Sequence, residues 1–118
     1  MGSAQIELNF EDLPFEQWNK VGSTKIELMY KPSAQMTARP LRKIASGGEV
    51  SRVMLACKVV LGESDVCDTL VFDEVDAGVG GATAVALAEV LAQLAKTHQV
   101  IVVTHLPQVA VMASKQYV

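Results

Sequence analysis

The chain is 118 residues long, half of them apolar, with a formal net charge of −3. That length holds one domain with a real core and not two, and the apolar content excludes a disordered chain. No apolar run reaches the ~18 residues of a membrane-spanning helix, and a net negative balance speaks against a surface that coats nucleic acid generally.

Met1-Gly2-Ser3 reads as an appended start, so the native sequence is expected over residues 4–118 as a piece of a longer protein, without a signal peptide. Ala4, Ile6, Leu8 and Phe10 alternate with Gln5, Glu7 and Asn9. Thr24, Ile26, Leu28 and Tyr30 alternate in the same way with Lys25, Glu27 and Met29. Period two predicts a pair of half-buried antiparallel strands. The connection between them, Glu11 to Ser23, carries Pro14 and Gly22, and Phe15 and Trp18 are expected to anchor it to the core. Residues 31–43, with Pro32, Pro40 and scattered cations, read as a loop.

Ser46, followed three residues later by Glu49, is a capping box that starts a helix. Behind it Val50, Val53, Met54, Cys57 and Val60/Leu61 recur at helical spacing, and Gly62 fits the stop. Cys57 and Cys67 match no metal-ligand spacing; a buried free thiol at Cys57, and a reducing cytoplasm, follow. Next comes Thr69-Leu70-Val71-Phe72-Asp73-Glu74, an uninterrupted apolar run ending in two carboxylates. Such a run predicts a strand buried on both faces of a parallel sheet. Gly78, Gly80 and Gly81 make a bend, and a second helix over 82–96 shows Ala84, Leu87, Ala88, Leu91, Leu94 and Ala95 on one face. Val100 to Thr104 is a further buried strand with His105 at its carboxyl end. Strand, helix and strand form one parallel crossover. Pro107 opens a short helix to about Ala113, and Gln116 to Val118 read as the start of another strand. The fold class is therefore α/β: a mostly parallel sheet flanked by helices, with an amino-terminal antiparallel pair.

In open parallel sheets the ligand crevice lies at the carboxyl ends of the strands. Asp73, Glu74 and His105 all fall at such ends. Taken alone, the two carboxylates are equally an exposed strand end; together with His105 they supply parts of a phosphoryl-transfer site. The helix tip at Gly47 and Gly48 offers free N–H groups to an anion. Charge is uneven: residues 31–58 hold Lys31, Arg39, Arg42, Lys43, Arg52 and Lys58 against Glu49 alone, while residues 63–89 carry seven acids and no base. Solvated faces account for such blocks as readily as a polyanion does; contact of Arg39, Arg42 and Lys43 with DNA or nucleotide stays open, and Arg52 reads as a surface ion pair with Glu49. His98, in a polar turn, carries no functional reading. A phosphate loop GxxxxGK[ST] is absent, and Gly78 to Thr83 mimics one without its lysine.

Four motifs in order resemble those of ABC-type ATPases: Ser46-Gly47-Gly48-Glu49-Val50-Ser51-Arg52 the signature, Thr69 to Glu74 the Walker B strand, Val75-Asp76-Ala77-Gly78 the D-loop, and Thr104-His105 the switch histidine. The strings Lys43 to Glu49, Phe72 to Gly81 and Thr104 to Ala110 are more specific, and resemble the SMC-like branch that serves bacterial double-strand-break repair and recombination. The resemblance runs from about Gln5 onward. It implies the carboxyl-terminal lobe of an ATPase head, with the Walker A lobe and a long coiled coil elsewhere in the same protein. It implies that Ser46, Gly47, Gly48 and Glu49 meet the ATP of a facing head and that Asp73 holds Mg²⁺. It makes Glu74 and His105 catalytic: Glu74 would activate water and His105 sense the γ-phosphate. Asp76 would cross the dimer seam. It further implies a head-to-head homodimer through ATP, DNA as a partner of the full-length protein, no membrane, and a cytoplasmic, nucleoid-associated location. Glu49 departs from the glutamine common in transporters. ATP and Mg²⁺ both need the other lobe, so this chain alone is expected to be inactive. Two rival readings are a non-catalytic interaction module on the same scaffold and a different metal-dependent phosphohydrolase using Asp73, Glu74 and His105.

Overall fold

The structure, a computed structural model, describes residues 4–44, 46–64 and 66–118. Met1-Gly2-Ser3, on which the expectation of an appended start falls, lies outside the described residues, as do Ala45 and Asp65. The chain divides into two units, Met1–Ala45 and Ser46–Val118.

The first unit is an antiparallel sheet in the order β1 (Gln5–Asp12), β2 (Thr24–Lys31), β3 (Arg39–Pro40). Alternation sets the register: Ile6 faces Tyr30, Leu8 faces Leu28 and Phe10 faces Ile26, so the apolar residues of both strands fall on one side. On the other side Glu11 lies opposite Lys25, an opposite-charge pair. Two expectations fail here. The segment after Lys31 is not all loop, because Arg39 and Pro40 add a short edge strand against Tyr30 and Met29. Proline is tolerated there, since an edge strand can spare the missing donor. Phe15 and Trp18 do not anchor the connection to a core. Both are exposed; they stack edge-on with centroids 5.0 Å apart, and Trp18 Nε1 donates to the Leu13 carbonyl at 3.0 Å. The connection closes on itself through local contacts.

The second unit holds the core. Helix α1 (Gly47–Leu61) starts at Ser46, whose Oγ accepts from the Glu49 N–H at 3.4 Å. Among the described residues only this half of the capping box forms. The helix stops at Gly62, whose φ of +51° is costly for any residue with a Cβ. The buried stripe of α1 is narrower than its apolar spacing implies: Gly48, Val53 and Leu55 are buried, Met54, Val60 and Leu61 are exposed, and Cys57 is only half-buried. Strands β4 (Thr69–Asp73) and β5 (Gln99–Val103) pair in parallel, residue 69 opposite 99 through 73 opposite 103. Helix α2 (Gly81–Leu94) joins them and lays Ala84, Leu87, Ala88, Leu91 and Leu94 into the core, at the expected spacing of three and four. Leu87, Ala88, Leu91 and Leu94 form one apolar cluster with Leu55, Leu70, Phe72, Val75 and Val109. Each buried leucine or phenylalanine contributes about 1.5–3 kcal/mol. Helix α3 (Pro107–Ala110) carries Pro107 in its first turn, and turn bonds continue to Ala113.

The crossover is thus as its pattern predicts, but burial is one-sided. Leu70 and Phe72 face the cluster, while Val71, Ile101 and Val103 on the opposite face are exposed. The apolar runs of β4 and β5 are written for two covered faces, and the second face is bare. Parallel pairing is confined to these two strands among the described residues, and no strand forms at Gln116 to Val118.

Candidate functional site

Parallel pairing puts Asp73 beside Val103, so Glu74 and the Thr104-His105 pair leave the sheet at the same end. Asp73, Glu74 and His105 are exposed there. Glu74 has a φ of +59°, the sole positive value among the described residues other than glycine. A side chain in that region costs roughly 1–2 kcal/mol and persists only where the surroundings hold it. Four bonds do so. Ser51 Oγ donates to the Asp73 carbonyl at 2.8 Å. Arg52 Nη1 donates to the carbonyls of Val75 at 3.1 Å and Ala77 at 2.8 Å. The Ala77 N–H returns to the Glu74 carbonyl at 3.0 Å.

Arg52 is therefore not a surface partner of Glu49. It points inward from α1 and holds the loop that carries Glu74. Sequence spacing pairs residues along one helix; it does not show a contact to a loop more than twenty residues later. The loop also packs on the tip of α1. A Cβ at Gly48 would come within 2.8 Å of the Ala77 Cβ and 3.0 Å of the Glu74 carbonyl, so the position needs glycine for its own unit's packing. At Gly47 a Cβ would run into the Glu74 carboxylate. Gly48 is buried, whereas Ser46 and Gly47 remain exposed and Glu49 is half-buried. The tip is shared: its outer positions are open, and its inner glycine serves the neighbouring loop.

Asp76, expected to cross a dimer seam, is buried within this unit. It is 2% exposed, and its Oδ2 accepts from the Thr104 hydroxyl. The same oxygen lies 3.6 Å from His105 Nδ1, an ion pair whenever the ring is protonated. Thr104 Oγ1 in turn accepts from the Leu106 N–H at 3.0 Å. Asp76 thus joins the end of β4 to the end of β5; among the described residues no hydrogen bond or ion pair links Glu74 or Asp73 to His105 directly. His98 is buried, with Nδ1 2.8 Å from the Thr97 hydroxyl, and its N–H closes the turn after α2 on the Leu94 carbonyl. Its role is structural. In the first unit Arg42 is paired to Glu27, which lowers that carboxyl's pKa chiefly through the hydrogen bond.

Asp73 offers one exposed carboxylate oxygen pair; no group of three or more His, Cys, Asp or Glu side chains gathers to hold a metal among the described residues. A single carboxylate fits Mg²⁺, which keeps waters and substrate phosphates as its remaining ligands, and does not fit a cation that needs an all-protein cage.

No family model matches the chain. Its backbone is similar to the Smc head domain with an extended coiled coil bound to the C-terminal domain of ScpA from Pyrococcus furiosus, at a TM-score of 0.65 and 22% identity, covering 94% of this chain and 26% of that one. The fold is that of an SMC-type head lobe. In sequence the chain is 59% identical over 92 residues to DNA repair protein RecN of Mycobacterium leprae, covering 78% of this chain and 16% of the relative. It is 42% identical over 117 residues to DNA repair protein RecN of Xylella fastidiosa, covering 99% of this chain and 21% of the relative. The chain belongs to the RecN family, and it spans about a fifth or less of the length of the curated relatives it matches.

Proposed function

We propose that this chain is the carboxyl-terminal lobe of an SMC-like ATPase head that works in DNA double-strand-break repair and recombination, and that it becomes an active ATPase only with a Walker A lobe. One observation carries the reading: the loop after β4 and the switch residues after β5 leave the same sheet end and are tied together there, with the tip of α1 packed beside them.

In this reading each group has a limited task. Glu74 orients and activates the attacking water, and its constrained backbone fixes where the carboxylate starts. His105, exposed at the strand end, meets the γ-phosphate. Ser46 and Gly47 present the helix tip to the triphosphate of a facing head, where free N–H groups and the helix dipole favour phosphate; Gly48 and Glu49 shape that tip from behind. Asp73 is the residue suited to hold Mg²⁺, which supplies charge neutralisation on the phosphates. ATP, Mg²⁺, a homodimer of heads, a coiled coil and DNA are the partners of the full-length protein under this proposal. The cell compartment is the bacterial cytoplasm, near the nucleoid.

The test is complementation. The chain is produced with an upstream lobe that carries GxxxxGK[ST], and Mg²⁺-dependent ATP hydrolysis is measured. Turnover is expected only when both lobes are present, and Glu74→Gln should reduce it by about 100-fold or more, as loss of a group acting in the chemical step does. Two folded, associated lobes without turnover would replace this proposal with the non-catalytic module. Hydrolysis of a generic phosphoester by the chain alone would favour a separate phosphohydrolase instead.

A further inference from the structure

Asp76 is buried without being apolar, and its surroundings fix it from both sides. The residues before and after it, Val75 and Ala77, each give their carbonyl to the same Arg52 nitrogen. Val75 is fully buried, and the Val79 N–H closes on the Asp76 carbonyl at 3.1 Å. The backbone that carries the carboxylate is therefore held on both sides. The Asp76 Oδ2 accepts a hydrogen bond from the Thr104 hydroxyl and lies 3.6 Å from His105 Nδ1. Thr104 is used on both sides, donating to Asp76 and accepting from the Leu106 N–H. The backbone on either side of His105 is pinned, while the imidazole itself is 75% exposed.

A bond to one threonine hydroxyl does not need a charge. Asparagine would accept that hydrogen bond equally well, and burying a carboxylate costs several kcal/mol unless a partner offsets it. The feature that an amide would not serve is the imidazole beside it. We propose that Asp76 is a positioning residue for His105 inside one head, through its carboxylate beside the imidazole and through the Thr104 hydroxyl, so that the loop carrying Glu74 and the turn carrying His105 move as one piece. The kinetic part of this proposal rests on the ATPase reading above; the positioning part does not.

The chain has two histidines, so a histidine-labelled sample gives two sets of ring signals, with His98 as internal control. Asp76→Asn and Thr104→Val are expected to shift the His105 ring signals and sharpen them, leaving those of His98 in place. Thr104→Ser, which keeps the hydroxyl, should restore the parent spectrum. Thr104→Val removes the link without touching the buried acid, so it decides the matter if Asp76→Asn fails to fold. In the complemented head, either variant should lower kcat by about tenfold or more with KM for ATP within about twofold, and the double variant should be no worse than the worse single, as for residues acting as one unit. Unmoved His105 signals in both variants would overturn the proposal, as would moved signals with unchanged kcat. A wild-type head that hydrolyses no ATP would sink the ATPase reading, and the ring signals would still decide whether Asp76 holds His105.

Discussion

The two units were written with the same alphabet and stabilised by different means. In Met1–Ala45 the alternation of β1 and β2 is unbroken, yet no described residue is buried. Ile6, Leu8, Phe10, Ile26 and Leu28 line one exposed face. Order there comes from backbone pairing, a closing bond from the Leu13 N–H to the Ser23 carbonyl, and the Arg42–Glu27 pair. In Ser46–Val118 order comes from a packed cluster, and the polar loop of the site is held by side chains rooted in it. Periodicity therefore reports which face a strand is meant to bury, and not whether the cover is present. An exposed apolar sheet face is a surface built for something else to occupy.

The contrast is broken most directly by truncation in each unit. Leu91→Ala, in the cluster, should cost about 2–5 kcal/mol, whereas Leu8→Ala, on the open face, should cost well under 1 kcal/mol. Urea unfolding of the two variants measures both, and equal losses would show that the open face is covered. Arg52→Met comes next. It keeps the stem but leaves two carbonyls without their charged donor, at a cost of about 1.5–3 kcal/mol, and proteolysis should then reach the loop after Glu74 before the rest of the unit. Ser46→Ala removes one cap and should cost about 1 kcal/mol in the same unfolding experiment, confined to the second unit. The smallest effect belongs to the first unit. Glu27 has its pKa lowered by the hydrogen bond from Arg42, against a desolvation effect that raises it, with Arg42, Lys25 and Lys43 adding charge attraction. A lowered folded-state value stabilises above the unfolded carboxylate's pKa, and the gain is lost as pH falls through the folded one. Arg42→Gln should move the Glu27 titration, followed by carboxyl-carbon NMR, upward toward the ordinary range, and salt should do the same to a lesser degree.

Much of the second unit was legible because its signals are local. Ser46 caps α1, Gly62 stops it, Pro107 opens α3, and the residues of α2 that face inward do so at helical spacing. The placing of Asp73, Glu74 and His105 at one end needed only two strand ends and parallel pairing. What stayed hidden depends on contacts across long separations. Arg52 is within reach of a helix-surface partner in sequence, and its real partners lie 23 and 25 residues away. Asp76 looks like one more loop acid until Thr104, 28 residues later, folds onto it. The left-handed backbone at Glu74 has no residue-type signature at all, since glutamate is not the residue that conformation selects. Phe15 and Trp18 misled for the opposite reason: large aromatic rings usually signal a core, and here they satisfy one another.

The conformation of Glu74 has a bearing on how this segment can drift over generations. Glycine at that position would sit more comfortably than the residue found there. If Glu74 activates water as proposed, copies released from the demand for turnover would have a downhill route that discards the carboxylate first.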